Sequence, residues 1–222
     1  FPHFKFNQCC SWCALPHYQI YFTGGSEGAY KGEVVSFHRE PFTLTPRPQM
    51  LHARFAHSTV YTGGYLYVTG GYNSSGSLSE CERFSVAENQ WEQISGLPIA
   101  VYNHSAIVQE STQSIYVLGG HATTSFTDGI QELSMKTYIW TKLSFTLPSQ
   151  ADPQCIPIFK STSNSDDFFF VFDNMLYSWN PNSAPIQIRG LSANIKSCYG
   201  PSYYSQGTVY CSNHQGAATK LA

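Results

Sequence analysis

Charge is what this chain has least of. Asp, Glu, Lys and Arg make up 12% of its residues, about half the usual share, and the two signs nearly cancel at a net charge of −2. A nucleic-acid face needs a basic stripe, and there is none to build it from, so no nucleic-acid partner is expected. Long apolar runs are missing too. The longest, Phe168-Phe169-Phe170-Val171-Phe172, falls far short of the roughly 20 residues a membrane-crossing helix needs, so no membrane partner is expected either. The start shows no basic, apolar and small-residue succession of a secretory leader, and it is Phe rather than Met. A processed product or a piece of a longer chain is the expectation. Paired cysteine spacing is also lacking. Seven cysteines is an odd number, and Cys81, Cys155, Cys198 and Cys211 stand singly, which suits buried, reduced thiols in a cytosolic protein better than a disulfide scaffold.

Aromatic residues, by contrast, reach 15%, so the core must be built largely from Tyr, Phe and Trp. They recur in a pattern. Tyr65-Leu66-Tyr67-Val68-Thr69-Gly70-Gly71 returns as Ser114-Ile115-Tyr116-Val117-Leu118-Gly119-Gly120, and upstream as Gln19-Ile20-Tyr21-Phe22-Thr23-Gly24-Gly25. The second glycines lie 46 and 49 residues apart, a period that marks a row of similar units. Each pair leads through a polar loop to a strand with one large anchor, then a tight turn, then Trp. Phe84 to Trp91 and Leu133 to Trp140 both span seven residues, as two strands of a hairpin would. Ahead of each glycine-pair strand runs another, Phe55–Tyr61 and Tyr102–Val108, with the His57-Ser58 and His104-Ser105 dipeptides in register.

Four short antiparallel strands per unit follow, in units at about 9–45, 51–97, 101–148, 155–190 and 196–214. The flanking copies are weaker. The first places Phe42 where Trp is expected. The fourth replaces the glycines by Asp173-Asn174, the next-best residues for positive φ. The fifth ends after its second strand, with nine residues following Asn213.

This pattern resembles the kelch repeat, most clearly from Leu51 to Pro148, and Arg54 matches the family's arginine before the first strand. The resemblance implies an all-β fold, a β-propeller built from four-stranded antiparallel blades, here about four and a half of them in one domain or fragment spanning 1–222. A strand such as Tyr-Leu-Tyr-Val-Thr has no strongly polar face, in keeping with a blade covered on both sides. The glycine pairs are expected where a strand end meets a crowded ring and a side chain would clash. Kelch propellers commonly have six or seven blades. A fragment of a longer propeller and a five-bladed ring closed by a strand at His3–Phe6 therefore both stay open.

Chemical motifs are sparse. There is no phosphate loop, nucleophile elbow or paired-carboxylate pattern. Cys10-Ser11-Trp12-Cys13, beside Cys9 and near His17 and His3, is a single C-x-x-C and reads as a cysteine-rich strand. His57 and His104 read as packing or hydrogen-bonding residues of first strands. No catalytic residue, metal or cofactor is therefore expected. The resemblance implies instead a non-enzymatic module that binds a protein or peptide through its loop face, as a substrate adaptor or scaffold in the cytoplasm, with its oligomeric state open. The alternative it leaves is a kelch-type metalloenzyme with a site near the central channel. Carried over by position, the partner-binding residues are Arg54, Tyr72, Asn73, Ser74, Ser75, Asn103, His121, Thr123, Thr124 and Ser125. For Arg54 two roles stay open, a fork for a partner's carboxylate and a solvated loop cation.

Overall fold

The computed structural model describes residues 8–148, 156–160, 166–190, 203–205, 208–212 and 218–221. Regular structure among them is entirely β. The chain divides into two compact units, Phe1–Tyr102 and Asn103–Ala222, between the second and third repeats.

In the first unit, β1 (Ser11–Leu15), β2 (Gln19–Thr23), β3 (Val34–His38) and β4 (Thr43–Arg47) form one antiparallel blade in chain order. The second blade begins with β5 (Ser58–Thr62) and β6 (Tyr65–Thr69). A two-stranded ribbon, β7 (Tyr72–Asn73) and β8 (Gly76–Ser77), precedes β9 (Cys81–Ser85) and β10 (Gln90–Ile94). The segment after Gly71, read from sequence as a loop, is thus a miniature hairpin standing on the blade. Leu66, Tyr67, Val68 and Thr69 are each at most 3% exposed, so β6 is covered on both faces, as its composition requires. One core joins the two blades, drawing Leu15, Tyr21 and Val34 from the first and Leu66, Val68 and Phe84 from the second.

The anchor spacing is a register. Phe84 pairs with Trp91 and Leu133 with Trp140 across the last hairpin of their blades. In the first blade Phe37 pairs with Leu44, so Leu44 holds the place expected of Phe42. Phe42 lies in the preceding turn, 61% exposed, in an edge-on contact with Phe37 whose ring centres are 4.9 Å apart. The seven-residue interval survives; only the residue filling it is smaller.

The second unit holds a blade of β11 (Ser105–Gln109), β12 (Ser114–Leu118), β13 (Gly129–Ser134) and β14 (Ile139–Thr146). The next has β15 (Ile158–Lys160), β16 (Phe168–Phe172), β17 (Met175–Trp179) and β18 (Ile186–Gly190). Tyr116, Phe168, Phe170 and Trp179 are the large members of its core. Trp179 lies edge-on to Tyr116 at 5.2 Å. The fifth repeat contributes β19 (Tyr203–Ser205), β20 (Thr208–Ser212) and β21 (Ala218–Leu221) in one sheet. It therefore goes one strand further than its two legible segments indicate. The proposed closing strand at 3–6 lies outside the described residues.

Asp173 and Asn174 adopt φ of 47° and 58° and turn β16 directly into β17. They take the positive φ of the glycine pairs they replace, but the long loop that follows those pairs elsewhere is gone. Asn tolerates this conformation and a β-branched residue does not. Asn174→Val is expected to destabilise the protein by about 1–2 kcal/mol and Asn174→Gly by less than about 0.5 kcal/mol. Urea denaturation of the two variants checks the order.

Candidate functional site

The repeat builds the site from its glycine pairs. In each pair both glycines have positive φ, for example 58° and 103° at Gly24 and Gly25 and 56° and 102° at Gly70 and Gly71. A Cβ on Gly24 would lie 2.5 Å from the Arg54 carbonyl oxygen, and one on Gly71 would lie 2.9 Å from the His57 Cβ. The crowding expected at this strand end is therefore real, and it comes from the segment leading into the next first strand. The second glycine's amide reaches into that segment, Gly25 N–H donating to Arg54 O at 2.9 Å and Gly71 N–H to Val101 O at 2.8 Å. Arg54 and Val101 are thus equivalent positions. Two residues on, Ala56 and Asn103 both take φ of 54°, a left-handed step that turns the chain down into the blade. Asn103 is half-buried at this step.

Arg54 is not a solvated cation. It is fully buried, as is Glu82 on β9. Its Nη2 donates to Glu82 Oε1 at 2.6 Å, Nη1 donates to the carbonyls of Gly70 (2.6 Å) and Glu80 (2.7 Å), and Nε donates to His52 O at 3.2 Å. The other side of the carboxylate accepts the Leu51 amide at 2.6 Å. A position before a first strand, read along the sequence, suggests a loop; the missing information was a carboxylate 28 residues away that pulls the guanidinium inward. Arg54 thereby fixes the two ends of the Tyr72–Ser77 ribbon from beneath.

What that ribbon presents is aromatic. Tyr72 lies edge-on to Phe55 at 5.7 Å and to Tyr102 at 5.0 Å, and Tyr30 stacks on Phe55 at 5.7 Å. Backbone bonds between Phe55 and Tyr72 hold the centre, at 3.1 and 2.9 Å. Tyr30 is 38% exposed, and the other three rings are half-buried. Of the four, only Tyr72 belongs to the residues chosen from sequence. Phe55 and Tyr102 occupy equivalent positions 47 residues apart, a signal available in the alignment of the repeats. Beside Tyr72, Asn73 caps its own turn, its Oδ1 accepting the Ser75 amide at 2.8 Å and its Nδ2 donating to Ala53 O at 3.3 Å. Ser74 and Ser75 are exposed.

In the second unit the corresponding loop runs from His121. His121 is half-buried, meets Phe126 edge-on at 4.6 Å, and its Nδ1 is 2.5 Å from the Ala122 carbonyl. Thr123, Thr124 and Ser125 are exposed at the tip, closed by a 2.8 Å bond from Ala122 N–H to Ser125 O.

The remaining titratable candidates sit in structural roles. His57 is buried, its Nε2 2.8 Å from the Thr23 hydroxyl, which in turn lies 2.8 Å from Thr59 Oγ1. That matches the hydrogen-bonding role its sequence position suggests. His104 is buried on the equivalent step. Cys9, Cys10, Cys13 and Cys81 are free thiols. Burial pushes the Cys10 thiol up to about 11 and that of Cys81 to about 12, and raises Cys13 as well. A thiol raised this far is protonated at neutral pH, so none of the three supplies a thiolate nucleophile. Among the described residues no three His, Cys, Asp or Glu side chains are grouped to hold a metal ion, and no helix is long and apolar enough to cross a membrane.

Four-stranded antiparallel blades repeated along the chain, three with a glycine pair after the second strand and one with Asp173-Asn174 there, define a β-propeller. The matches to known proteins support a kelch-repeat family for the chain. The Kelch motif family matches residues 53–98. Kelch-like protein 23 of Homo sapiens is 31% identical over 46% of this chain and 18% of its own length. Kelch domain-containing protein 10 of Xenopus laevis is 26% identical over 65% of this chain and 39% of its own. The chain thus spans well under half the length of these curated relatives. A solved structure titled "Structure of YjhT" superposes with a TM-score of 0.75 at 12% identity, covering 93% of this chain and 72% of that one.

Proposed function

We propose that the chain is a non-enzymatic protein-interaction module, one kelch propeller domain or part of one, that binds a protein or peptide partner through the loop ends of its blades. The observation that carries this reading is the aromatic cluster of Tyr30, Phe55, Tyr72 and Tyr102, set in loops that a buried ion pair holds in place. Partly exposed aromatic rings on a rigid support are the usual anchors of interfaces. Beside them Asn73, Ser74 and Ser75 supply variable polar contacts, and in the other unit Asn103, His121, Thr123, Thr124 and Ser125 hold the corresponding loop positions. Arg54 supports these loops from inside and leaves the list of contacts. The relatives carry kelch repeats by name, in keeping with an interaction module. An adaptor or scaffold role in the cytoplasm follows from the same family reading.

A partner isolated with the immobilised chain is expected to bind at least tenfold more weakly to a variant combining Tyr72→Ala with Ser74→Glu and Ser75→Glu. Changes at Glu88 and Asn89, in the turn at the other end of the blade, are expected to leave binding as it was. Equal loss from both sets, or retention of binding in the loop variant, removes the loop face from the proposal.

A further inference from the structure

We infer that the aromatic cluster of the first unit receives a cationic side chain, arginine or lysine, from an extended segment of the partner. The inference rests on the interaction-module reading and adds to it the chemistry of what is bound.

Two independent observations meet at this place. The first is the ring set itself. Tyr30, Phe55, Tyr72 and Tyr102 come from four separate segments; the first three converge within 5.7–6.5 Å of one another, and Tyr102 joins them 5.0 Å from Tyr72. The π faces of Tyr and Phe attract a cation placed over them. The rings are half-buried or exposed, so part of that surface meets solvent.

The second is the balance of charge around them. The loop segments 24–33, 48–57, 70–82 and 95–102 carry Glu27, Glu33, Glu80 and Glu82 against Lys31 and Arg54. Arg54 is buried and neutralised by Glu82, and the Lys31 ammonium lies 3.9 Å from Glu33. Glu27 and Glu80 make no ion pair among the described residues. The ion pairs of these segments thus leave Glu27 and Glu80 in excess, and Lys31, their one cation that is not buried, is shared with Glu33. An arginine or lysine finds both ring faces and carboxylates, the complementarity that selects a partner and speeds encounter. The family's arginine before the first strand suggests recognition of a carboxylate; its burial here reverses the sign of the preferred ligand.

Fluorescein-labelled decapeptides of Gly and Ser with two central arginines, two citrullines, two glutamates or two prolines test this against the 222-residue chain by anisotropy. Citrulline keeps the shape of arginine and removes its charge. The arginine peptide is expected to bind at least tenfold more tightly than the citrulline peptide, and more weakly as salt rises. Tyr30→Leu and Tyr72→Leu are each expected to weaken it by roughly 2- to 30-fold, and Glu80→Gln to weaken it with the thermal melt unchanged. Tyr30 is the safest ring to replace, because it is the most exposed. Equal binding of the arginine and citrulline peptides, or preference for glutamate or proline, overturns the cationic assignment and leaves the loop-face module standing. Failure of every peptide, together with partner binding insensitive to the loop variant above, overturns both.

Discussion

Replacing Arg54 by alanine is expected to lower the free energy of unfolding by about 3–5 kcal/mol, because it leaves a carboxylate buried without its counter-charge. Glu82 has no exposed surface, and Gly70 and Glu80 would lose the donors that now satisfy their carbonyls. The next repeat supplies the control. Its equivalent positions hold Val101 and Gln131, both at most 1% exposed, so neither charge of the pair recurs there. The double variant Arg54→Val with Glu82→Gln is therefore expected to recover at least half of the loss, since Gln retains a carbonyl oxygen for the Leu51 amide. Urea unfolding of the single and double variants measures both. A cost below about 1 kcal/mol for Arg54→Ala would show that water or a neighbouring group replaces the guanidinium.

Gly71→Ala is expected to be of similar severity, and Gly63→Ala much milder. The two positions separate two costs that glycine hides. At Gly63, φ is 57° and nothing lies within 4 Å of an added Cβ. Only the left-handed conformation is then penalised, by about 1–2 kcal/mol. At Gly71, φ is 102°, and the added Cβ would come within 2.9 Å of His57 Cβ and 3.0 Å of the Phe55 carbonyl oxygen. Strain of about 1–3 kcal/mol is joined there by an overpacking cost of about 1–3 kcal/mol. The gap between the two variants should centre on about 2–3 kcal/mol in the same denaturation experiment. Similar midpoints would mean that the first-strand segment gives way, and that the close approach of successive repeats is softer than its distances indicate.

The legible parts of this fold are those written in local periodicity. The β6 element and its copies declare themselves because a strand covered on both faces must be apolar throughout, and the glycines that end it have no substitute except Asp173-Asn174. The seven-residue anchor interval is equally local, being a hairpin register. Where the reading fixed on residue type instead of register, it chose Phe42, two residues too early, and passed over Leu44. The Tyr72–Ser77 ribbon escaped notice because four polar and glycine residues at its tip look like any loop. Arg54 was misplaced for a different reason. Its burial depends on Glu82, a partner with no periodic relation to it, and a charge in isolation reads as exposed. The aromatic cluster lay between these cases. Tyr72 was found from its place after the glycines, but Tyr30, Phe55 and Tyr102 needed three-dimensional convergence to stand out from a chain already rich in aromatics.

The amide of each second glycine carries a further consequence. Gly25 N–H bonds to the residue ahead of the second repeat, and Gly71 N–H to the residue ahead of the third. The contact that ends one repeat is therefore the contact that begins its neighbour, and stability spreads along the chain as nearest-neighbour coupling between repeats. A repeat added at such a junction would bring its own donor and meet a waiting acceptor. The same arrangement makes each junction a point of failure for cooperativity. A lesion at one glycine would divide a single melting transition into two.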